Sequence, residues 1–315
     1  MQGFDPEFTG IEHYITAITE RIWEGRGIDL IRRFYTPGCV VRTPGGVTTS
    51  VEDVVRSTLD TLHMFPDRQL LPEDIVWSGD AATGFYSSHR ILSPMHHRGA
   101  GLYGPATGRA VQVRTIADCA VRDNQVYEEW LVRDQAAIVR QLGLDPERFA
   151  AEAVAYEEPR PTVAPEGLYA PVIVRDGEAA FYAETLERLW NDTALGEVAR
   201  RYASSASLAS PGGEQGVGRA AVEGVLIGYL ASFPDARLRI DHLIARRDPG
   251  RPVRVAARWE VQGTHSGRGR FGMPGGTPVR FMGISHAHVV DGRIVAEWML
   301  VDEVALWMQI ARGGA

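Results

Sequence analysis

Two histidines and an aspartate near the end of the chain have the types and spacing best suited to chemistry. His286 and His288 lie two positions apart, and Asp302 follows fourteen positions after His288. Alternate residues of a strand share a face, so the two imidazoles point the same way. In Glu297-Trp298-Met299-Leu300-Val301-Asp302 the same alternation groups Trp298, Leu300 and Asp302 against Glu297, Met299 and Val301. With the Trp298 face inward, Asp302 enters an apolar cavity, where desolvation raises a carboxyl pKa toward that of a general acid or base. A histidine one strand away polarises a carbonyl or relays a proton. Blander readings stand beside this one. Asp302 also reads as the N-cap of a last helix at 303–310, and the histidines as hydrogen-bonded or surface groups. Two histidines plus a carboxylate are also part of a metal set, although spacing alone implies no further ligand.

His265, in Gly263-Thr264-His265-Ser266-Gly267, falls between turn glycines and is expected at a pocket rim. His97, next to His96, occupies the matching place earlier in the chain. Trp298, Trp130 and Trp259 offer flat walls for a ring-bearing ligand, or plain core.

The elements that must position these groups come from an internal duplication. Phe65-Pro66-Asp67 recurs as Phe233-Pro234-Asp235, and Glu129-Trp130 with Asp134 recurs as Glu297-Trp298 with Asp302, all displaced by 168. His97/His265, Gly104/Gly272, Gly108/Gly276 and Asp123/Asp291 keep that displacement, while Trp23/Trp190, Tyr35/Tyr202 and the two Pro-Gly-Gly turns match at 167. One register held this long marks two copies of one unit. We place them at 1–150 and 172–315, joined by a proline-rich linker over 151–171.

Each copy opens with helical stretches, at 11–23 and 28–35 in the first and 179–190 and 195–202 in the second. A third helix, 51–64 or 219–232, ends before Phe-Pro-Asp. Strands rich in Val, Ile, Trp and Arg follow, separated by glycine turns such as Asp291-Gly292. Helices and then hairpins mean an α+β domain: a cone of helices packed on a curved antiparallel sheet, with the ligand site between them.

Composition narrows the chemistry. All 33 basic residues are arginine, which excludes a P-loop lysine, a pyridoxal Schiff base and lysine-imine chemistry. A net charge of −7 without a basic block leaves no footprint for nucleic acid or an anionic membrane. No apolar run reaches bilayer length and no secretory leader opens the chain, so a cytoplasmic protein is expected. Cys39 and Cys119 read as buried apolar side chains. GxSxG, HExxH and EF-hand patterns are missing, which disfavours serine hydrolase, zincin and calcium sensor.

Phe-Pro-Asp, the Gly-Thr-His-Ser-Gly turn, Asp-Gly-Arg-Ile-Val-Ala-Glu-Trp and the terminal Asp-plus-helix together resemble the SnoaL-like polyketide cyclases. These have the cone fold of nuclear transport factor 2, and the resemblance covers most of both copies. It implies a cofactor-independent cyclase, isomerase or lyase acting on a small hydrophobic carbonyl compound, with no metal. Its catalytic Asp and His match Asp302 and His288, the Asp as base and the His stabilising an enolate oxygen for an intramolecular aldol step. His265, His286, Trp298 and Trp259, with Asp134, His97 and Trp130 of the first copy, would line substrate. In the first copy Asp134 keeps the aspartate, but Ala120 replaces the histidine and Asp118 stands where His286 does. That copy is therefore expected to be degenerate, and the second to be the active one. A non-catalytic carrier of the same fold is the alternative. Fused copies are expected to pack as an intramolecular pseudo-dimer, with a homodimer open.

Overall fold

A computed structural model describes residues 1–156 and 167–313. The chain divides into two units, one comprising 1–133, 137–144 and 167–170, the other 134–136, 145–156 and 171–313.

In the first unit α1 (Ile11–Thr19) runs on into a π-helical turn at Glu20–Glu24, followed by the short α2 (Ile31–Phe34). Strands β1 (Tyr35–Thr43) and β2 (Gly46–Thr48) precede α3 (Val51–Met64), which spans the range read from the sequence. Ser50 caps α3, its hydroxyl accepting from the Glu52 N–H at 3.1 Å, with Glu52 and Asp53 in the positive first turn. Phe65-Pro66 stops it, because a residue before proline is driven out of the helical region. Strands β3 (Leu71–Asp80), β4 (Gly84–His96), β5 (Ala110–Arg122) and β6 (Gln125–Arg133) complete the sheet, and α4 (Gln135–Gln141) follows. The strand order is β2-β1-β6-β5-β4-β3, antiparallel except for one parallel pairing of β1 with β6. Asp123-Asn124, both at positive φ, make the tight β5–β6 turn.

The helix α5 (Pro146–Val154) clusters with the second unit, where it packs on the last helix, although the boundary expected at 150 places most of it in the first. The linker expected at 151–171 falls largely outside the described residues. The second unit repeats the plan with α6 (Gly177–Asn191), α7 (Gly196–Arg201), β7 (Tyr202–Ser210), β8 (Glu214–Val217), α8 (Arg219–Ser232), β9 (Arg237–Arg246), β10 (Val253–His265), β11 (Thr277–Val290), β12 (Arg293–Val301) and α9 (Glu303–Gly313). Its sheet order, β8-β7-β12-β11-β10-β9, is the same with each label advanced by six. Each unit is thus an α+β cone with its core between sheet and helices. Among the described residues no helix is long and apolar enough to cross a membrane.

Candidate active site

Cross-strand register decides which side chains meet, and it separates His288 from Asp302. His288 lies opposite Ala296, six residues from Asp302 along β12 and its continuation, a separation of about 20 Å at 3.3 Å per residue. The fourteen-residue spacing therefore does not bring the pair within proton-transfer reach. The face is also reversed from expectation. Val289, Ala287, Met299 and Val301 belong to the core of the second unit, so Glu297 points into the cone and Trp298, His286 and His288 lie on the other side of the sheet. His286 stands across from Trp298, and the Trp298 ring meets His288 edge-on at 4.8 Å. Asp302 caps α9, accepting from the N–H groups of Val304 and Ala305 at 3.0 and 3.1 Å. Asp134, which clusters with the second unit, accepts the backbone N–H groups of Gly212 and Gly213, both at 2.8 Å. Trp130 sits on the outer face of its sheet beside Tyr86 and Tyr169, with Arg42 over its ring. Asp118, also on that face, takes a short hydrogen bond from the Tyr86 hydroxyl. His97 and His265 pack against Phe65 and Phe233 at 5.4 and 5.8 Å, inside rather than at a rim.

Trp259 does point into the cone of the second copy, but as filling. Its indole N–H donates to Ser285 Oγ at 3.0 Å, and its ring presses on Gly283, where a Cβ would come within 2.2 Å of Cη2. Trp190, Tyr229, Phe233, Phe271 and Phe281 join it in one aromatic network with centroids 5.3–6.5 Å apart. Glu297 is the ionisable group on this wall, and the hydroxyls of Tyr182 and Tyr202 saturate it at 2.5 and 2.7 Å.

The matching positions of the first copy carry different residues. Where the second has Tyr229, Trp259, Phe281 and Gly283, the first has Thr61, Ile91, Val113 and Thr115. Where the second has Val255, Ala257, Val261, Ala236 and Val301, the first has Ser87, His89, Ser93, Arg68 and Arg133. Register arranges the inward face in rows: Ser87, Cys119 and Glu129; then His89, Ala117 and Leu131; then Ile91, Thr115 and Arg133; then Ser93 and Val113. Cys119, Ala117 and Phe85 of this face belong to the core, which fixes its direction, and both cysteines are free and buried.

Polar atoms on this wall lack protein partners. Among the described residues Ser87 Oγ, His89 Nε2, Ser93 Oγ, Thr115 Oγ1 and the Nε atoms of Arg68 and Arg133 are buried without a hydrogen bond. A buried polar group is ordinarily satisfied, and leaving one unmade costs about 1–3 kcal/mol, so these atoms call for partners that the protein itself does not supply. Burial pushes the Glu129 carboxyl up to about 7, against the opposing Tyr35 hydroxyl, which donates to it, and the Arg133 charge. Burial takes His89 down to about 4, so at neutral pH it is an uncharged imidazole. A carboxyl that titrates near neutrality and a neutral imidazole, two strands and one row apart, are a base and a hydrogen-bond donor on one wall.

The first copy, expected to be degenerate, thus holds the unsatisfied polar wall, and the second holds a packed core. Sequence reasoning missed Glu129, His89, Arg68 and Arg133. A signal was present: when the copies are aligned, polar residues of one meet apolar or aromatic residues of the other at alternate strand positions.

The family profile described as SnoaL-like polyketide cyclase matches residues 14–142 and 180–310. The chain belongs to this family and contains two tandem copies of it. Its structural neighbours include wild-type IdmH from Streptomyces antibioticus, 24% identical, matched over 42% of this chain and 98% of that one with a TM-score of 0.37. TsrD from Streptomyces laurentii is 21% identical over 44% and 98%, TM-score 0.37. A SnoaL-like polyketide cyclase from Agrobacterium tumefaciens is 18% identical over 43% and 100%, TM-score 0.36. No curated protein matches the chain.

Proposed function

We propose that this protein is a cofactor-independent acid–base enzyme acting on a small hydrophobic carbonyl compound, with its working site in the cone of the first copy. The observation that carries the reading is the inward wall of β4, β5 and β6, where partnerless polar atoms surround a carboxyl poised near neutral pH. In this reading Glu129 takes a proton from a carbon next to the carbonyl, and the neutral His89 donates to the oxygen that becomes negative. The enolate carbon is then free to close a ring, isomerise or lose a leaving group, and the protonated Glu129 returns the proton. Ile91, Val113 and Leu131 hold the apolar body and keep water out.

The test is exchange of α-protons for deuterium in a panel of aromatic β-keto esters, followed by NMR in D2O. Wild-type protein should catalyse exchange in at least one compound, and Glu129→Gln should slow it by about a hundredfold or more, the usual yield of general base catalysis. Asp302→Asn, which keeps a capping side chain, should exchange at the wild-type rate. Exchange that survives in Glu129→Gln would defeat the assignment. Compounds that bind without exchange would make the protein a carrier.

A further inference from the structure

Arg68 and Arg133 are unexplained by the fold and unused by the proton transfer described above. Arg68 is 7% exposed, although it carries a full charge, and Arg133 is half-buried on the inward face of β6. Among the described residues neither guanidinium makes a hydrogen bond or an ion pair, and both Nε atoms are buried. Only the Nε of each is buried without a partner, and a guanidinium drawn partly out of water gains from a counter-charge. Burial and then the Arg133 charge bring Arg68 down to about 9, so the two cations act on one another. The fold does not need them, because the second copy builds the same cone with Ala236 and Val301 there, both buried.

We propose that the cone of the first copy receives an organic carboxylate with an apolar body, its carboxyl group seated between Arg68 and Arg133; this deepens, and rests on, the reading that the first copy holds the working site. Charge favours a monoanion. Two guanidinium groups and an ionised Glu129 leave one positive charge, with His89 neutral, and a single carboxylate cancels it. The guanidinium fork matches a carboxylate in a plane, two N–H groups to two oxygens. Tyr103 lies beside Arg68, and Ile91, Met95 and Val113 supply buried apolar wall around the third and fourth rows. Glu129 stands four residues from Arg133 on the same strand, about 13 Å along it, so the acid group and the reacting carbonyl occupy opposite ends of the ligand.

Binding of 1-naphthoate, methyl 1-naphthoate and 1-naphthyl phosphate to the full chain, measured by titration calorimetry, tests this. Naphthoate should bind the wild type, and its Kd should rise about tenfold or more in Arg68→Met and in Arg133→Met, as expected for loss of a charged hydrogen bond. The ester should bind more weakly than the acid and be indifferent to both substitutions. Without ligand, Arg68→Met should melt at a higher temperature than wild type, because an uncompensated buried charge is gone; a structural arginine would do the opposite. The acid–ester comparison needs no variant, so misfolding of either leaves the question decidable. No binding of naphthoate, equal binding of acid and ester, or tighter binding of the phosphate would overturn the inference. Glu129→Gln separates it from the catalytic reading: naphthoate selectivity with α-proton exchange unaffected by Glu129→Gln would sink catalysis alone, while Glu129-dependent exchange without acid selectivity would sink the carboxylate alone.

Discussion

At the scale of single residues, the same carboxyl meets different fates in the two copies. Glu297 is held by two tyrosine hydroxyls inside an aromatic core, whereas Glu129 has Tyr35 and faces the charge of Arg133. The consequence is measurable in stability. Glu129 ionises at about 7 in the fold and near 4.5 when unfolded, so between those values the native state binds more protons and stability falls as pH rises. Glu129→Gln should therefore match the wild type at pH 4 and exceed it at pH 8 by up to about 3 kcal/mol in urea unfolding, since each pKa unit is worth about 1.4 kcal/mol. His89 has the opposite sign. Its pKa is lower in the fold than in the unfolded chain, so its contribution is lost as pH falls from about 6.5 toward 4. The two windows overlap and partly cancel, so the Glu129 effect should be read from the variant difference and not from the wild-type profile alone.

At the scale of elements, one cross-strand pair marks the divergence. Trp259 sits opposite Gly283 in β10 and β11, and Ile91 sits opposite Thr115 in β4 and β5. The glycine exists because the indole occupies the place of a Cβ. Gly283→Ala should therefore destabilise the second copy by about 1–3 kcal/mol through overpacking, read by calorimetry, with ligand binding in the first copy unchanged. Asp302 belongs to this scale too. Asp302→Ala should cost about 1 kcal/mol through the lost cap of α9, and Asp302→Asn much less; equal losses in both would point to a role for the charge.

At the scale of the whole molecule, duplication has left one copy with a polar wall and one with a packed aromatic core. Calorimetric titration should accordingly give one ligand per chain, and a value of two would contradict the division of roles. Much of this molecule was legible in the sequence. The displacement of 168, Phe-Pro-Asp and the glycine turns revealed two α+β copies, and α3 and α8 run over the residues expected, because helix periodicity, caps and proline stops are local signals. The site was not legible in the same way. Alternation separated Trp298 from Glu297 and Met299, but it could not say which group faced the helices. Nor could a spacing of fourteen show that a hairpin turning at Asp291-Gly292 sets His288 six residues from Asp302. The sequence by itself determined the family, the two copies and the strand parity, all of which depend on neighbours along the chain. Only the tertiary structure decided which face is inside, which copy is filled and which polar groups are left without partners, because those depend on side chains brought together across strands from distant parts of the chain.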